Sequence, residues 1–258
     1  MKFEDMEIEK SKVPALPRAA CILDLLADQG PMPRSELIAK SKIPHSSGYN
    51  IIDELIKLGF LRQDSDGKIC LWMKMIYLGG AASRSLDLKD IVLPPLLSLL
   101  NSYDCIHVQF GMIYGDKAFY VLKRSNKKAA FHAMAREGME MSMVQAGLGK
   151  LLLAYQDDVY RERLLPQLDY HAVTPNSITT PDELRKELAK IRLQGWSLGN
   201  EEGESGFRSI SAPVFDRDRN LKGGISIVGT IYKFTDELLP QIAATTIQCA
   251  NSISQSLI

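Results

Sequence analysis

At 258 residues the chain is longer than the ~100 to 200 residues of a typical domain, so two domains are the natural expectation. Hydrophobic residues at 45% and charged residues at 24% match an ordinary globular protein and exclude a disordered or membrane-embedded chain. A formal net charge of zero excludes binding of nucleic acid through bulk charge and leaves only a local basic face for that purpose.

The start MKFEDMEIEKSK is charged and lacks the apolar stretch of a signal peptide, and no apolar run approaches the ~20 residues that span a bilayer. A cytoplasmic protein without membrane contact is expected, with residues 1–12 disordered for want of anything to bury. Cys21, Cys70, Cys105 and Cys249 are scattered among apolar neighbours and form no C-x-x-C pair. That pattern predicts reduced core thiols rather than disulfides or a zinc site.

From Pro17, the residues Ala20, Leu23, Leu25, Leu26 and Ala27 keep helical spacing until Asp28-Gln29-Gly30-Pro31 breaks it, predicting a first helix. Leu37, Ile38 and Ala39 predict a second, short helix that Ser35 can cap and that ends near Ser41. Ile51, Ile52, Leu55, Ile56 and Leu58 predict a third, with Ser46 as N-cap and Gly59 as C-cap. Two helices joined by a tight turn, the second polar at its start, outline a helix-turn-helix.

Phe60 to Gln63, a turn at Asp64 to Gly67, and Lys68 to Trp72 then predict a β-hairpin where a wing belongs. Three helices and a wing in this order have DNA as their majority partner. Arg34, Lys40 and Lys42, opposed by Glu36 alone, supply a local basic face, although such a cluster is more often a solvated surface.

Residues 73–103 read as mostly helical. Met75, Ile76 and Leu78 share a face before Gly79-Gly80, and Leu93, Leu96, Leu97, Leu99 and Leu100 follow Asp90, with Pro94-Pro95 starting or kinking the second helix. Strands are expected at 105–112, 117–123, 196–198, 208–215 and 221–228, and helices at 147–154, 159–165, 181–193 and 236–257. Thr180, Pro181 and Glu183 give the third of these helices a complete start signal. Interleaved strands and helices imply an α+β fold, an antiparallel sheet carrying helices on its faces.

In Gln145-Ala146-Gly147-Leu148-Gly149-Lys150, small residues open an apolar helix. Backbone N–H groups at a helix start receive anions, and glycine lets a ligand approach the backbone. Tight helix packing explains the same residues. The segment is no P-loop, because Leu151 follows Lys150.

The stretches ALPRAACILDLL, SELIAKSKIPHSSGYNIIDELIKLGFL and DSDGKICL, followed in order by AGLGKLLLAY, ITTPDELRKELAKIRLQGW, EEGESGFRSISAPVFD and GGISIVGT, resemble the isocitrate lyase regulator (IclR) family of bacterial transcription factors. The resemblance covers nearly the whole chain. It implies a winged helix-turn-helix over residues 13–77, a helical linker over 78–92 that helps form a dimer, and a GAF-like effector-binding domain over 93–258. It further implies a homodimer or homotetramer on a near-palindromic site in double-stranded DNA, and repression of a catabolic operon released by a small metabolite. No cofactor is implied.

By position in that family, His45, Ser46, Ser47, Tyr49 and Asn50 would face DNA together with Arg34. His45 stands for the usual lysine and Asn50 for the usual arginine, which removes positive charge from the groove face and lowers nonspecific affinity. Asn50 has the chemistry to read adenine. Ser46 and Ser47 serve equally as caps or as phosphate contacts.

In relatives, small carboxylates such as glyoxylate or pyruvate, or larger aromatic and sugar acids, sit over the helix start. Ala146, Gly147 and Leu148 would then offer N–H groups, with Ser209 and Ser226 on the opposite wall. Ser209 stands where cysteine is common, Gly199 where an acid is usual, and Val228 where serine is frequent. A bulkier or less polar ligand than glyoxylate is expected. Glu201-Glu202 reads as an exposed turn or as a ligand contact.

No enzyme signature competes. Gly203-Glu204-Ser205-Gly206 has the wrong spacing for a nucleophile elbow, and His45, His107, His132 and His171 are isolated. Asp216-Arg217-Asp218-Arg219-Asn220 begins like a calcium loop, but Leu221 and Ile227 replace its glycine and closing glutamate. No catalytic or metal-binding residue is assigned. The alternative is a GAF-like carrier or enzyme whose helix-turn-helix touches only protein, which the low positive charge favours slightly.

Overall fold

The computed structural model describes residues 11–85, 88–127 and 135–257; the first ten of the residues 1–12 expected to be disordered, and the isolated His132, lie outside them. The chain divides into two units, Met1–Leu86 and Asp87–Ile258.

In the first unit, α1 (Ala15–Gln29), α2 (Arg34–Ser41) and α3 (His45–Lys57) enclose Ile22, Leu25, Leu26, Leu37, Ile38, Ile52 and Leu55. α1 stops at Gly30, whose φ of 79° is open to glycine alone without strain. Neither Ser35 nor Ser46 is a cap. Pro33 and Pro44 occupy those positions, so both helices begin two residues earlier and the serines fall inside the first turn. α2 turns into α3 through Lys42 in the left-handed region (φ 53°). Gly48 allows the helices to cross, since a Cβ there would stand 3.1 Å from Ile38 Cγ1.

α3 ends at Lys57 with Leu58 as its C-cap, so Gly59 lies one residue beyond the position expected for it. Gly59 N–H donates to the Ile56 carbonyl and Phe60 N–H to that of Leu55, which together satisfy carbonyls the helix leaves open. β2 (Leu61–Gln63) and β3 (Lys68–Leu71) form the hairpin, with Asp64 Oδ1 accepting from the N–H groups of Asp66 and Lys68. A two-residue strand that the sequence did not reveal, β1 (Met32–Pro33), pairs with β3, giving the order β1-β3-β2. α4 (Met73–Ser85) continues through Gly79-Gly80, because glycine costs a helix only about 1 kcal/mol.

The second unit opens with α5 (Lys89–Ser102), which runs through Pro94 and Pro95 instead of starting at them. A proline inside a helix costs about 3 kcal/mol. Burying Val92, Leu96 and Leu99 on one stripe offsets that, at roughly 1.5–3 kcal/mol each.

Six antiparallel strands follow: β4 (His107–Tyr114), β5 (Lys117–Ser125), β6 (Glu140–Met141), β7 (Ser197–Asn200), β8 (Phe207–Phe215) and β9 (Leu221–Thr230). Their order is β6-β5-β4-β9-β8-β7, with β6 a two-residue strand unforeseen in the sequence. α5 and α9 (Leu239–Ser256) cover one face over Val108, Phe110, Ile210, Ala212, Ile225 and Ile227.

α6 (Gly147–Ala154), α7 (Asp158–Leu164) and α8 (Pro181–Gln194) surround the other core, built on Leu148, Leu151, Leu184, Leu188 and Ile191. α8 starts as read, with Thr180 Oγ1 accepting from Glu183 N–H and Glu183 Oε2 from Thr180 N–H. No helix among the described residues is long and apolar enough to cross a membrane.

Candidate functional site

α3 buries Gly48, Ile52 and Leu55, and helical periodicity then turns His45, Ser46, Tyr49, Asn50 and Asp53 outward, where all five are exposed. Ser47 is half-buried, its Oγ 3.5 Å from Arg18 Nη1 on α1. Arg34 is committed within the unit: its Nη1 pairs with Asp53 Oδ1 at 2.7 Å and its guanidinium lies 5.6 Å from the Tyr49 ring centroid. That pairing further reduces the positive charge of the face.

Two cations escaped the sequence reading, Arg18 beside Ser47 and Arg62 on the hairpin, whose guanidinium stacks 4.0 Å from the Trp72 centroid. The signal was present. Residues 11–85 hold ten Lys and Arg against seven Asp and Glu, a net +3 that the neutral whole-chain total conceals.

The second unit contains a cavity of about 290 Å³ at the start of α6, lined by Ala146, Gly147 and Leu148 and by Gly199, Ser209 and Val228. A helix start leaves its first N–H groups without intrahelical acceptors, so Gly147 and Leu148 present donors there. A Cβ on Gly147 would stand 2.7 Å from Ser209 Oγ and 2.8 Å from Gly199 N. Gly199 is equally constrained by Ser209, so no acidic side chain fits at that position without displacing its neighbours.

Strand register explains the floor. His107 pairs with Val228, Val228 with Ser209 and Ser209 with Gly199, forming one row across β4, β9, β8 and β7 that borders the cavity. The next row on the same face is Gln109, Ser226, Ser211 and Ser197. Ser226 therefore lies one row deeper than expected; it is fully buried, does not line the cavity, and its Oγ has no partner.

His107, one of the four histidines isolated in the sequence, borders the cavity yet is only 2% exposed. Its Nε2 lies 3.2 Å from Gln109 Oε1, and its Nδ1 has no partner. Burial, reinforced by the charge of Lys123 and opposed by the Gln109 bond, pushes its pKa down to about 3. The ring is neutral at physiological pH.

Glu202 is neither an exposed turn nor a free ligand contact. Lys150, fully buried on α6, donates from Nζ to Glu202 Oε1 and to the Leu198 carbonyl at 3.1 Å, with Glu187 Oε1 at 3.8 Å. Asn200 N–H donates to Glu202 Oε2 at 2.8 Å, and Ser177 Oγ to the Glu202 carbonyl at 2.7 Å. This network anchors the loop that walls the cavity to α6 and α8. Spacing gave no hint of it, because Lys150 and Glu202 are 52 residues apart.

The cavity walls are rich in acceptors. Glu140, Glu201, Glu202 and Glu204 border it, and the cation that lines it among the described residues, Arg208, is engaged by Asn200 Oδ1, the Phe234 carbonyl and Asp236. Among the described residues no group of three or more His, Cys, Asp or Glu side chains is arranged to hold a metal.

Residues 15–65 match the model of the IclR helix-turn-helix domain, and residues 80–255 that of the bacterial transcriptional regulator IclR C-terminal domain. The HTH-type transcriptional regulator RhmR of Escherichia coli K12 is 36% identical over 250 residues, 97% of this chain and 95% of that protein. The transcriptional repressor IclR of the same organism is 26% identical, covering 94% and 89% respectively. The crystal structure of an IclR homologue from Microbacterium hydrocarbonoxydans in complex with 4-hydroxybenzoate shares the fold at a TM-score of 0.80 and 21% identity, covering 94% of this chain and 98% of that one. With both of its units matched and a full-length relative above 30% identity, the chain is a member of the IclR family of DNA-binding transcriptional regulators.

Proposed function

We propose that this regulator is a cytoplasmic repressor of a catabolic operon, released from its operator when a small carboxylate occupies the cavity at the start of α6. The observation that carries the reading is that Gly147 and Leu148, the first residues of α6, line a cavity of about 290 Å³, because the first N–H groups of a helix lack intrahelical acceptors and suit one carboxylate. The 4-hydroxybenzoate bound by the Microbacterium homologue is a carboxylate, and the E. coli relative IclR is a repressor; both support it.

Residues 13–77 serve as the DNA-binding domain, 78–92 as the linker and 93–258 as the effector domain. Arg34, His45, Ser46, Ser47, Tyr49 and Asn50 contact DNA, and Ala146, Gly147, Leu148 and Ser209 the effector, with Ser226 supporting the floor from behind. A homodimer or homotetramer places two copies of α3 in successive major grooves of a near-palindromic site. The exposed apolar side chains Met73, Ile76, Tyr77 and Leu78 of α4 offer the surface for that association. Effector binding alters operator affinity by favouring one arrangement of the copies over the other.

Selection of binding sites from fragmented genomic DNA, followed by affinity measurement with and without candidate carboxylates, tests the reading. One enriched near-palindromic site released by a carboxylate supports it. An enriched site indifferent to every carboxylate, or held more tightly with one, overturns the proposed control.

A further inference from the structure

Asp53 is out of place on a face proposed to meet DNA. Of the exposed side chains His45, Ser46, Tyr49, Asn50 and Asp53, it is the carboxylate, and an unpaired carboxylate among phosphates opposes binding. His45, Tyr49 and Asp53 stand at i, i+4 and i+8, which sets them in one row along α3. Arg34, the first residue of α2, closes over that row from the neighbouring helix.

The row is linked from end to end. The His45 and Tyr49 rings stack with centroids 6.4 Å apart and planes 28° from parallel. The Arg34 guanidinium carbon lies 5.6 Å from the Tyr49 centroid, and Arg34 Nη1 is 2.7 Å from Asp53 Oδ1. A guanidinium held at once by a ring and a carboxylate gives up little further side-chain freedom on binding. Its Nε and Nη2 form a planar two-donor edge, and the close contact with Asp53 is made through Nη1 instead.

DNA offers that edge two kinds of acceptor. A phosphate would bring negative charge beside Asp53, so taking it requires that the ion pair give way. Guanine O6 and N7 are neutral acceptors on the major-groove edge, matched to the paired N–H groups of arginine, and they leave the ion pair intact. With the charge of Arg34 cancelled by Asp53, what the side chain adds is discrimination between bases rather than attraction to any duplex.

We infer that Arg34 reads a guanine in each half-site of the operator, with Asp53 and Tyr49 as the positioning residues that aim its guanidinium. The inference rests on the groove face proposed above and adds the base that one of its side chains selects.

Selection from randomised duplexes by the full-length protein tests it, with the preference for each base read position by position. The wild type is expected to require guanine at one position of each half-site, by roughly ten-fold or more over other bases. Arg34→Gln combined with Asp53→Asn leaves the net charge of the face unchanged, so it is expected to keep the salt dependence and lose the preference for guanine at that position alone. Tyr49→Phe, which keeps the ring, is expected to retain that preference, and Tyr49→Leu to lower it. Asp53→Asn by itself is expected to bind all duplexes more tightly while discriminating guanine less.

A base profile unchanged in the double variant overturns the inference. So does a uniform loss with the salt slope lowered by roughly 0.9, the mark of a phosphate contact. Replacing the selected guanine by 7-deazaguanine removes the N7 acceptor without touching the protein, and so decides the matter should the double variant fail to fold: wild-type affinity is expected to fall, and unchanged affinity overturns the inference. A profile unaltered by Asn50→Ala as well, or a wild type that enriches no sequence, overturns the groove face itself.

Discussion

Ser197 Oγ donates to the carbonyl of Gly147 at 2.6 Å, fastening β7 to the first residue of α6. Both groups are buried. The bond holds the helix start against the strand row that floors the cavity, so packing and ligand geometry share the same atoms. Replacing Ser197 by alanine should cost about 1 kcal/mol of stability and weaken effector binding, as read by urea unfolding and calorimetry.

Gly147→Ala should do more harm than its single methyl suggests. The new Cβ would meet Ser209 Oγ at 2.7 Å and the backbone nitrogen of Gly199 at 2.8 Å. Overpacking of this kind costs about 1–3 kcal/mol. Adding Ser209→Ala relieves one of the two clashes, so the double variant should recover part of the loss in thermal unfolding. Full recovery would mean that β7 can yield.

Lys150→Met should destabilise the second unit by about 3–5 kcal/mol, because Glu202 is left buried without its cation. Lys150→Met combined with Glu202→Leu removes both charges and should cost less than the single change. Denaturant midpoints of the three proteins measure the coupling. A double variant less stable than Lys150→Met would show that the loop depends on the Glu202 bond to Asn200 rather than on the ion pair.

Protonation of His107 sets an acid limit on stability. Its folded pKa is about 3 against an ordinary value of 6.5, so below pH 6.5 the unfolded chain takes up a proton that the native state refuses. Stability contributed by the neutral ring is complete above pH 6.5 and falls as the pH drops toward 3, by up to about 1.4 kcal/mol per pH unit. His107→Leu should flatten the dependence of the urea midpoint over this window. Parallel curves for variant and wild type would place the acid sensitivity elsewhere.

On the DNA side, the Arg34–Asp53 pair holds back a cation. Asp53→Asn should strengthen operator binding and steepen its salt dependence by roughly 0.9 in log–log slope if Arg34 then reaches a phosphate. Asn50→Ala should cost roughly 1–3 kcal/mol on the selected site alone, with the salt slope unchanged. Gel-shift titrations across salt concentrations separate the two behaviours.

Local rules in the sequence sufficed for most elements. Thr180, Pro181 and Glu183 start α8 where read, Gly59 lies one residue past the C-cap of α3, and Asp64 to Gly67 makes the hairpin turn, because caps and turns are decided within a few residues. The exposed face of α3 was legible too, since one apolar stripe dictates the opposite one. Where the structure departs from a local rule, proline caps displaced Ser35 and Ser46, and of the two expectations for Pro94 and Pro95 the helix start is excluded, since both lie inside α5.

The cavity floor belonged to tertiary structure alone. Nothing in the chain marks His107, Ser209 and Val228 as neighbours, or joins Lys150 to Glu202, because strand register and helix docking bring together positions that sequence spacing keeps far apart. The small residues at the start of α6 are legible in the sequence as a helix start open to an anion or to tight packing. Which polar groups border the cavity there depends on a six-strand order that no short-range signal encodes.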